Sequence, residues 1–273
     1  MLRQAIIPLA GLGTRLLPLS SVTPKELLPI NGKTNLEHIL DECIEAGIKE
    51  FIFIISKKKE SIKKYFFNDR FYKSILAKKK DKRLKESFQK LKKYQKMIKF
   101  VYQNKPRGTG DAILKSQRLI KGSHFLMLFP DDLIINKNCS KEMILLHKKT
   151  NGSIIATKAV DKKTVSRWGI VDLKRKRKNY FEIKDVVEKP SIKKAPSNYA
   201  IIGRYILPKN IMKKLKILKP GKGGEIHITD AIRQLIAEGE KFYGNIFKGK
   251  YLDCGTLDGY IKSAVEISKA KNK

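Results

Sequence analysis

The chain has 273 residues and is 41% apolar, enough for one large domain or two small ones, and no run approaches the roughly 18 apolar residues that a membrane span needs. Lys+Arg 60 against Asp+Glu 26 leaves a formal charge of +34, which opens the question of a nucleic-acid partner. Lysine far outnumbers arginine, the usual residue of specific nucleic-acid contacts, and the cations are dispersed. We therefore read charge spread over solvated faces, with no specific nucleic-acid or membrane partner.

In chain order, residues 4–8 read as a first strand, and 9–18 as a glycine-bearing loop, Leu9-Ala10-Gly11-Leu12-Gly13-Thr14-Arg15-Leu16-Leu17-Pro18. Thr34-Asn35-Leu36-Glu37 is a capping box that starts a helix with Leu36, Ile39, Leu40, Cys43 and Ile44 on one face. Gly47 closes it, and the apolar run Phe51 to Ile55 reads as a strand buried on both faces. This β-α-β unit implies a parallel sheet with a right-handed crossover. Residues 57–96, rich in lysine with aromatics from Tyr65 to Phe88, read as an excursion of helices outside the sheet, an amphipathic pair packed on the body.

Ile98 to Tyr102 is a third strand, Gly108-Thr109-Gly110-Asp111 opens a helix, and His124 to Phe129 is a fully apolar strand ending at Pro130-Asp131-Asp132. A helix over 141–149 and a strand from Ser153 to Val160 follow. The chain then becomes β-rich, through Trp168 to Val171, Asp185 to Pro190 and Tyr199 to Leu207. Helices near 209–218 and 229–238, a strand or two between 241 and 252, and a final helix over 257–270 complete it. We expect one domain over 1–273, without a break that would let its parts move independently. Three sparse cysteines, Cys43, Cys139 and Cys254, show no metal or disulfide spacing and lead us to expect a reducing cytoplasm.

A strand running into a glycine loop exposes several N–H groups to one anion, and Arg15 and Lys25 add positive charge beside it. Strand-Gly-x-Gly alone is common. It is not the dinucleotide fingerprint, because Leu16 stands where the third glycine would. Nor is it a Walker loop: Gly32-Lys33-Thr34 has the right ending, but Leu27 occupies the first glycine's position. In an open parallel sheet the ligand lies beyond the carboxyl ends of the strands. Four segments fall there: the loop, Gln103 to Gly110, Asp131-Asp132 and Asp253-Cys254-Gly255. Carboxylates beside a polyphosphate repel it unless a cation intervenes, and Mg²⁺ is the natural one. Asp131 is the stronger candidate of its pair, since adjacent residues at a strand end point apart. Glu188 could accept from sugar hydroxyls, Lys189 could contact a phosphate, and Gly169 lacks a side chain that would keep a sugar off the backbone. The four histidines show no catalytic or metal spacing, and Cys254 shows no histidine partner.

Taken together, Gly11-Leu12-Gly13-Thr14-Arg15, Pro24-Lys25-Glu26-Leu27-Leu28-Pro29, Gly108-Thr109-Gly110-Asp111, Pro130-Asp131-Asp132, Val187-Glu188-Lys189-Pro190, Asn198 to Tyr205, Gly224 to Ala231 and Asp253-Cys254-Gly255 resemble, in order, the signature of the sugar-nucleotide pyrophosphorylases. Glu26 and Cys254 favour the uridylyl over the thymidylyl branch, where Gln and Thr usually stand. The resemblance covers nearly the whole chain. It implies an α/β fold: a Rossmann-like, mixed, mostly parallel sheet flanked by helices, with residues 1–150 mainly for the nucleotide and a β-rich 151–273 mainly for the sugar. It implies that UTP and α-D-glucose 1-phosphate give UDP-glucose and pyrophosphate with Mg²⁺, by in-line attack on the α-phosphorus. It further implies that Ala10, Gly11, Gly13 and Thr14 hold the nucleotide, with Glu26 and Asp132 among the substrate-binding positions. Arg15 and Lys25 then meet the phosphates, and Gln103 and Gly108 read the base. Asp131 and Asp253 hold Mg²⁺; Gly169, Glu188 and Gly203 surround the glucose, and Lys189 binds its phosphate. A homodimer or homotetramer is the implied assembly. The same chemistry with dTTP or another sugar 1-phosphate, or a degenerate basic relative that binds nucleic acid, are the alternatives.

Overall fold

A computed structural model describes residues 2–271. In chain order its strands and helices are β1 (Gln4–Pro8), β2 (Pro29–Ile30), β3 (Lys33–Thr34), α1 (Asn35–Glu45), β4 (Glu50–Ile55), α2 (Glu60–Phe67), α3 (Asp69–Lys78), α4 (Lys82–Gln95), β5 (Ile98–Tyr102), α5 (Thr109–Lys115) and β6 (His124–Leu128). There follow β7 (Asp132–Ile135), α6 (Cys139–Thr150), β8 (Ser153–Ala159), β9 (Gly169–Lys176), β10 (Tyr180–Glu188), β11 (Tyr199–Pro208), α7 (Ile211–Ile217), α8 (Ile228–Ala237), β12 (Phe242–Ile246), β13 (Lys250–Asp253) and α9 (Leu257–Lys271). Among the described residues, nine strands form one sheet in the order β5-β4-β1-β6-β11-β8-β12-β10-β9.

The strands alternate their side chains between two apolar layers. Ala5, Ile7, Phe51, Phe53 and Ile55 face one core, shared with α1, α2, α4 and α6; Ile6, Ile52, Ile54, Phe125 and Met127 face the other, shared with α5, α7 and α8. Fully burying each of the isoleucine, phenylalanine and methionine side chains contributes about 1.5–3 kcal/mol. The capping box at α1 is present, with Glu37 N–H donating to Thr34 Oγ1 at 3.2 Å and Thr34 N–H to Glu37 Oε2 at 2.9 Å.

Three features differ from the sequence reading. The sheet is parallel across β5-β4-β1-β6 and between β8 and β12, but β11 runs antiparallel to both β6 and β8, and β9 and β10 pair antiparallel. It is therefore less parallel than expected, because β9 and β10 meet as a hairpin and need no helical crossover. Residues 57–96 form three helices, not a pair. Of their aromatics, Phe66 and Tyr94 are buried, with Phe66 edge-on to Phe53 at 5.8 Å and to Tyr94 at 6.1 Å; Tyr72 stacks on Phe88 at 5.4 Å, and Phe67 and Phe71 stay exposed. The third feature is a two-stranded ribbon, β7 with β13, in which Asp132 pairs with Asp253. Alternation of side chains cannot reveal a ribbon this short.

Candidate active site

The carboxyl ends of β1, β4, β5 and β6 open onto a cavity of about 820 Å³. Every candidate position named from the sequence lines it: Ala10, Gly11, Gly13, Thr14, Arg15, Lys25 and Glu26 from the first loop and the turn after it; Gln103 and Gly108; Asp131 and Asp132; Gly169, Glu188, Lys189 and Gly203; and Asp253. A smaller adjoining hollow of about 420 Å³ is bounded by Leu12, Ser56, Lys57, Lys58, Gln103 and Asn104.

The first loop is built by a left-handed Gly13, φ 69°, whose carbonyl accepts from Ser20 Oγ at 2.8 Å. The chain then turns through Thr14–Leu16 and later Lys25–Leu27, short 3₁₀ turns that bring Arg15 and Lys25 to the same carboxylate. Lys25 Nζ donates to Asp131 Oδ2 at 2.5 Å, and an Arg15 guanidinium nitrogen lies 3.5 Å from the same oxygen. Burial opposes charge on both Lys25 and Asp131, but their mutual attraction prevails. The lysine pKa stands above its ordinary value and the aspartate below.

Asp131 and Asp253 come from distant parts of the chain and meet through the ribbon. Cys254 N–H donates to the Asp131 carbonyl at 2.7 Å, and Gly255 N–H to Asp253 Oδ1 at 2.8 Å. A Cβ built on Gly255 would lie 2.8 Å from Asp131 Oδ2 and 3.0 Å from Asp253 Oδ1, so the two carboxylate oxygens converge on one point. Among the described residues no three His, Cys, Asp or Glu side chains gather into a metal-binding cluster. Two hard oxygen donors beside the glycine loop fit a divalent cation that takes its remaining ligands from outside the protein.

Asp132 does different work from Asp131. Its Oδ1 accepts from Tyr251 O–H at 2.6 Å and its Oδ2 from Gly203 N–H at 3.0 Å. Burial and the adjacent Asp131 push its pKa up to about 6. The carboxylate thus fixes β11 to the ribbon with both oxygens engaged. A side chain at Gly203 would bring a Cβ within 2.3 Å of Asp132 Oδ2, which is why only glycine fits there.

Glu26 is also engaged. Lys59 Nζ donates to both of its oxygens, at 2.7 and 2.9 Å. Gln103 is locked by its amide nitrogen, which donates to Asp111 Oδ2 at 2.7 Å and to the Gly108 carbonyl at 3.2 Å. Because a carboxylate only accepts, this orients the amide and leaves its carbonyl oxygen as the group to meet a ligand. Gly108, at φ 97°, caps α5 and lies against the backbone of Ile226, where a Cβ would come within 2.7 Å. Glu188 sits opposite Gly169 in the β9–β10 ladder and accepts from Thr229 Oγ1 at 3.0 Å. Lys189, held left-handed at φ 44°, reaches within 3.7 Å of Glu188 Oε1.

Sequence reading missed Lys59, Tyr251 and Thr229. Lys59 is hidden in a run of three lysines; its only signal is the apolar periodicity of the helix it introduces. Tyr251 could have been found only through the β7–β13 pairing. Cys254 is buried and burial pushes its thiol up to about 12, so it is no nucleophile.

A glycine loop at a sheet's carboxyl ends, facing cations and a convergent carboxylate pair, defines a nucleotidyltransferase. The chain belongs to the nucleotidyl transferase family, whose model matches residues 4–71 and 64–270. It is similar to the UTP–glucose-1-phosphate uridylyltransferase 2 of Staphylococcus saprophyticus, at 36% identity over 98% of this chain and 92% of that one. It is similar also to the UTP–glucose-1-phosphate uridylyltransferase of Mycoplasma pneumoniae, at 35% identity over 96% and 91%. A solved UDP-glucose pyrophosphorylase complexed with UDP-glucose superposes with a TM-score of 0.87 at 34% identity, covering 99% of this chain and 100% of that one.

Proposed function

We propose that this protein is a UTP–glucose-1-phosphate uridylyltransferase, making UDP-glucose and pyrophosphate from UTP and α-D-glucose 1-phosphate. The observation that carries this is the meeting of Lys25, Arg15, Asp131 and Asp253 beside the glycine loop, in a chain that matches uridylyltransferases along nearly its whole length.

The sugar phosphate oxygen attacks the α-phosphorus of UTP in line, and pyrophosphate leaves. The attacking oxygen is already ionised, so the protein contributes position and charge rather than a base. The backbone of residues 10–14 grips the nucleotide phosphates, Lys25 meets the reacting phosphate and Arg15 the departing pyrophosphate. Asp131 and Asp253 would hold Mg²⁺, which would supply neutralisation of phosphate charge. Gln103, with its carbonyl oxygen presented, accepts from the N3–H of uracil and disfavours cytosine, whose N3 is an acceptor. Gly169 and Gly203 admit the glucose, Glu188 accepts from its hydroxyls, and Lys189 binds its phosphate. Residues 1–150 serve mainly the nucleotide and 151–273 mainly the sugar, within one domain. We propose a cytoplasmic enzyme that works as a homodimer or homotetramer; among the described residues no helix is long and apolar enough to cross a membrane.

The test is pyrophosphate release across a panel of UTP, dTTP, CTP, ATP and GTP with several sugar 1-phosphates and Mg²⁺. UTP with glucose 1-phosphate should give the highest kcat/KM. A clear preference for dTTP or another sugar phosphate would reassign the substrates. No release with any pair would defeat the reading.

A further inference from the structure

We propose that Lys59 is a positioning residue for nucleotide binding, one that cancels the buried charge of Glu26 and so keeps Lys25 turned to Asp131 and the cavity, where it meets phosphate. This rests on the uridylyltransferase reading and deepens it.

The geometry is specific. Glu26 follows Lys25 on the same 3₁₀ turn, with its side chain only 2% exposed. An unpaired carboxylate there would stand beside the cavity that is to receive a triphosphate, and would draw Lys25 to itself. Lys59 takes up both of its oxygens. Of the three consecutive lysines, Lys57 and Lys58 are exposed while Lys59 is buried, its backbone N–H closing a turn onto the Ser56 carbonyl at 2.9 Å. Two ion-paired groups result, Lys59 with Glu26 and Asp131 with Lys25 and Arg15, joined where Lys25 and Glu26 are neighbours in the chain. Burial holds the Lys59 pKa below an ordinary lysine's, with Glu26 working against that loss. Such a pair costs desolvation, and well-packed apolar residues of similar volume are often as stable as a buried ion pair. Its use lies in the balance of charge facing the substrate. It also gives the segment after β4 a link to the cavity, and it removes Glu26 from the groups that touch substrate.

The experiment compares wild type, Lys59→Met, Glu26→Gln and the double variant, reading KM for UTP and kcat by pyrophosphate release, with thermal midpoints alongside. Lys59→Met should raise KM for UTP by about tenfold or more, the scale of an unpaired charge in a binding site, with kcat changed less than about threefold. Glu26→Gln should not raise KM, because it removes the repelling charge. The double variant should return to within about threefold of wild type, since both charges go together. A merely structural pair predicts instead that both single variants weaken binding in step with lost melting temperature, and that binding and melting temperature recover together in the double. An unchanged KM in Lys59→Met, or a double variant no better than Lys59→Met, overturns the proposal. Should Lys59→Met not fold, a double variant that binds UTP more than about tenfold worse than wild type also overturns it. Failure of the parent reading is visible separately, as a wild type that turns over no pair. Equilibrium binding of UTP to the four proteins then reads the charge effect without turnover.

Discussion

Replacing Gly255 by alanine tests the convergence of Asp131 and Asp253 with a single methyl group. That methyl would lie 2.7 Å from an Arg15 guanidinium nitrogen, 2.8 Å from Asp131 Oδ2 and 3.0 Å from Asp253 Oδ1. Comfortable contacts at carbon begin at about 3.5 Å, so each group must retreat by roughly half an ångström or more. Arg15 is largely exposed and can swing away at little cost. Asp131 moves less readily, because Lys25 holds the same oxygen at 2.5 Å and the side chain is largely buried. The two carboxylates therefore separate or turn, and Mg²⁺ tolerates little departure from its octahedron. Misplacing reacting groups by about 1 Å costs on the order of 100-fold in rate. We expect kcat/KM for UTP to fall by about that factor, with the half-saturating Mg²⁺ concentration raised and the melting midpoint lowered by no more than a few degrees, on the order of 1 kcal/mol. The assay is pyrophosphate release over a Mg²⁺ titration. A Gly255→Ala enzyme within about threefold of wild type at every Mg²⁺ concentration would refute the argument that these carboxylates share an ion.

Lys25→Ala should cut kcat by about 100- to 1,000-fold, the loss typical of one charge-stabilising donor, while circular dichroism stays native; a loss under tenfold would show that Lys25 is not at the reacting phosphate. Arg204 is fully buried, and three of its hydrogen bonds, at 2.9 to 3.2 Å, go to Glu42. Arg204→Met leaves that carboxylate only its bonds from Ser140 and no opposite charge, which should cost about 3–5 kcal/mol and lower the melting midpoint by roughly 10 °C; calorimetry showing a drop under about 3 °C would contradict it. Asp41 accepts from Lys33, Lys90 and Tyr94, at 2.6, 3.0 and 2.5 Å. Burial raises its pKa, but these partners together outweigh it and leave the carboxyl below its ordinary value of 3.8. A depressed acid stabilises the fold above its unfolded pKa and loses that contribution as pH falls through the folded one. Asp41→Asn should thus destabilise most near pH 7, by about 1 kcal/mol after solvent screening, and the gap should close below about pH 4; a gap that widens in acid would reverse the sign.

Much of this molecule was legible in its sequence, and the exceptions have physical causes. Strands such as Phe51 to Ile55 announce themselves because both faces are buried, and α1 because its cap is written in Thr34 and Glu37. The cavity's glycines were legible because a loop that must approach a ligand cannot carry a Cβ. The ribbon β7–β13 was not, since each strand is only four residues long and its partner lies across the sequence. For the same reason the separate duties of Asp131 and Asp132 could be ordered but not explained: only the pairing shows Tyr251 and Gly203 closing on Asp132. Glu26 shows a different limit. Its type and position beside Lys25 suit a ligand contact, and nothing local reveals that Lys59 already occupies it.

The ribbon explains how the site can be exact without being part of the main sheet. Asp131 ends the run from β6, and Asp253 ends β13. Their meeting is set by the β7–β13 ladder, in which Asp253 stands opposite Asp132, and by the Cys254 N–H bond to the Asp131 carbonyl. A one-residue slip in that ladder would turn Asp253 to the opposite face. Asp132 prevents the slip from the other side: it is bonded at once to Tyr251 on the ribbon and to Gly203 on β11, so register, carboxylate pair and the floor beneath Gly203 are fixed by one side chain. A group tied on both oxygens is poorly suited to shuttle protons, even with its pKa near 6. That suits a reaction whose nucleophile arrives ionised, where the protein's task is to keep opposite charges at fixed distances.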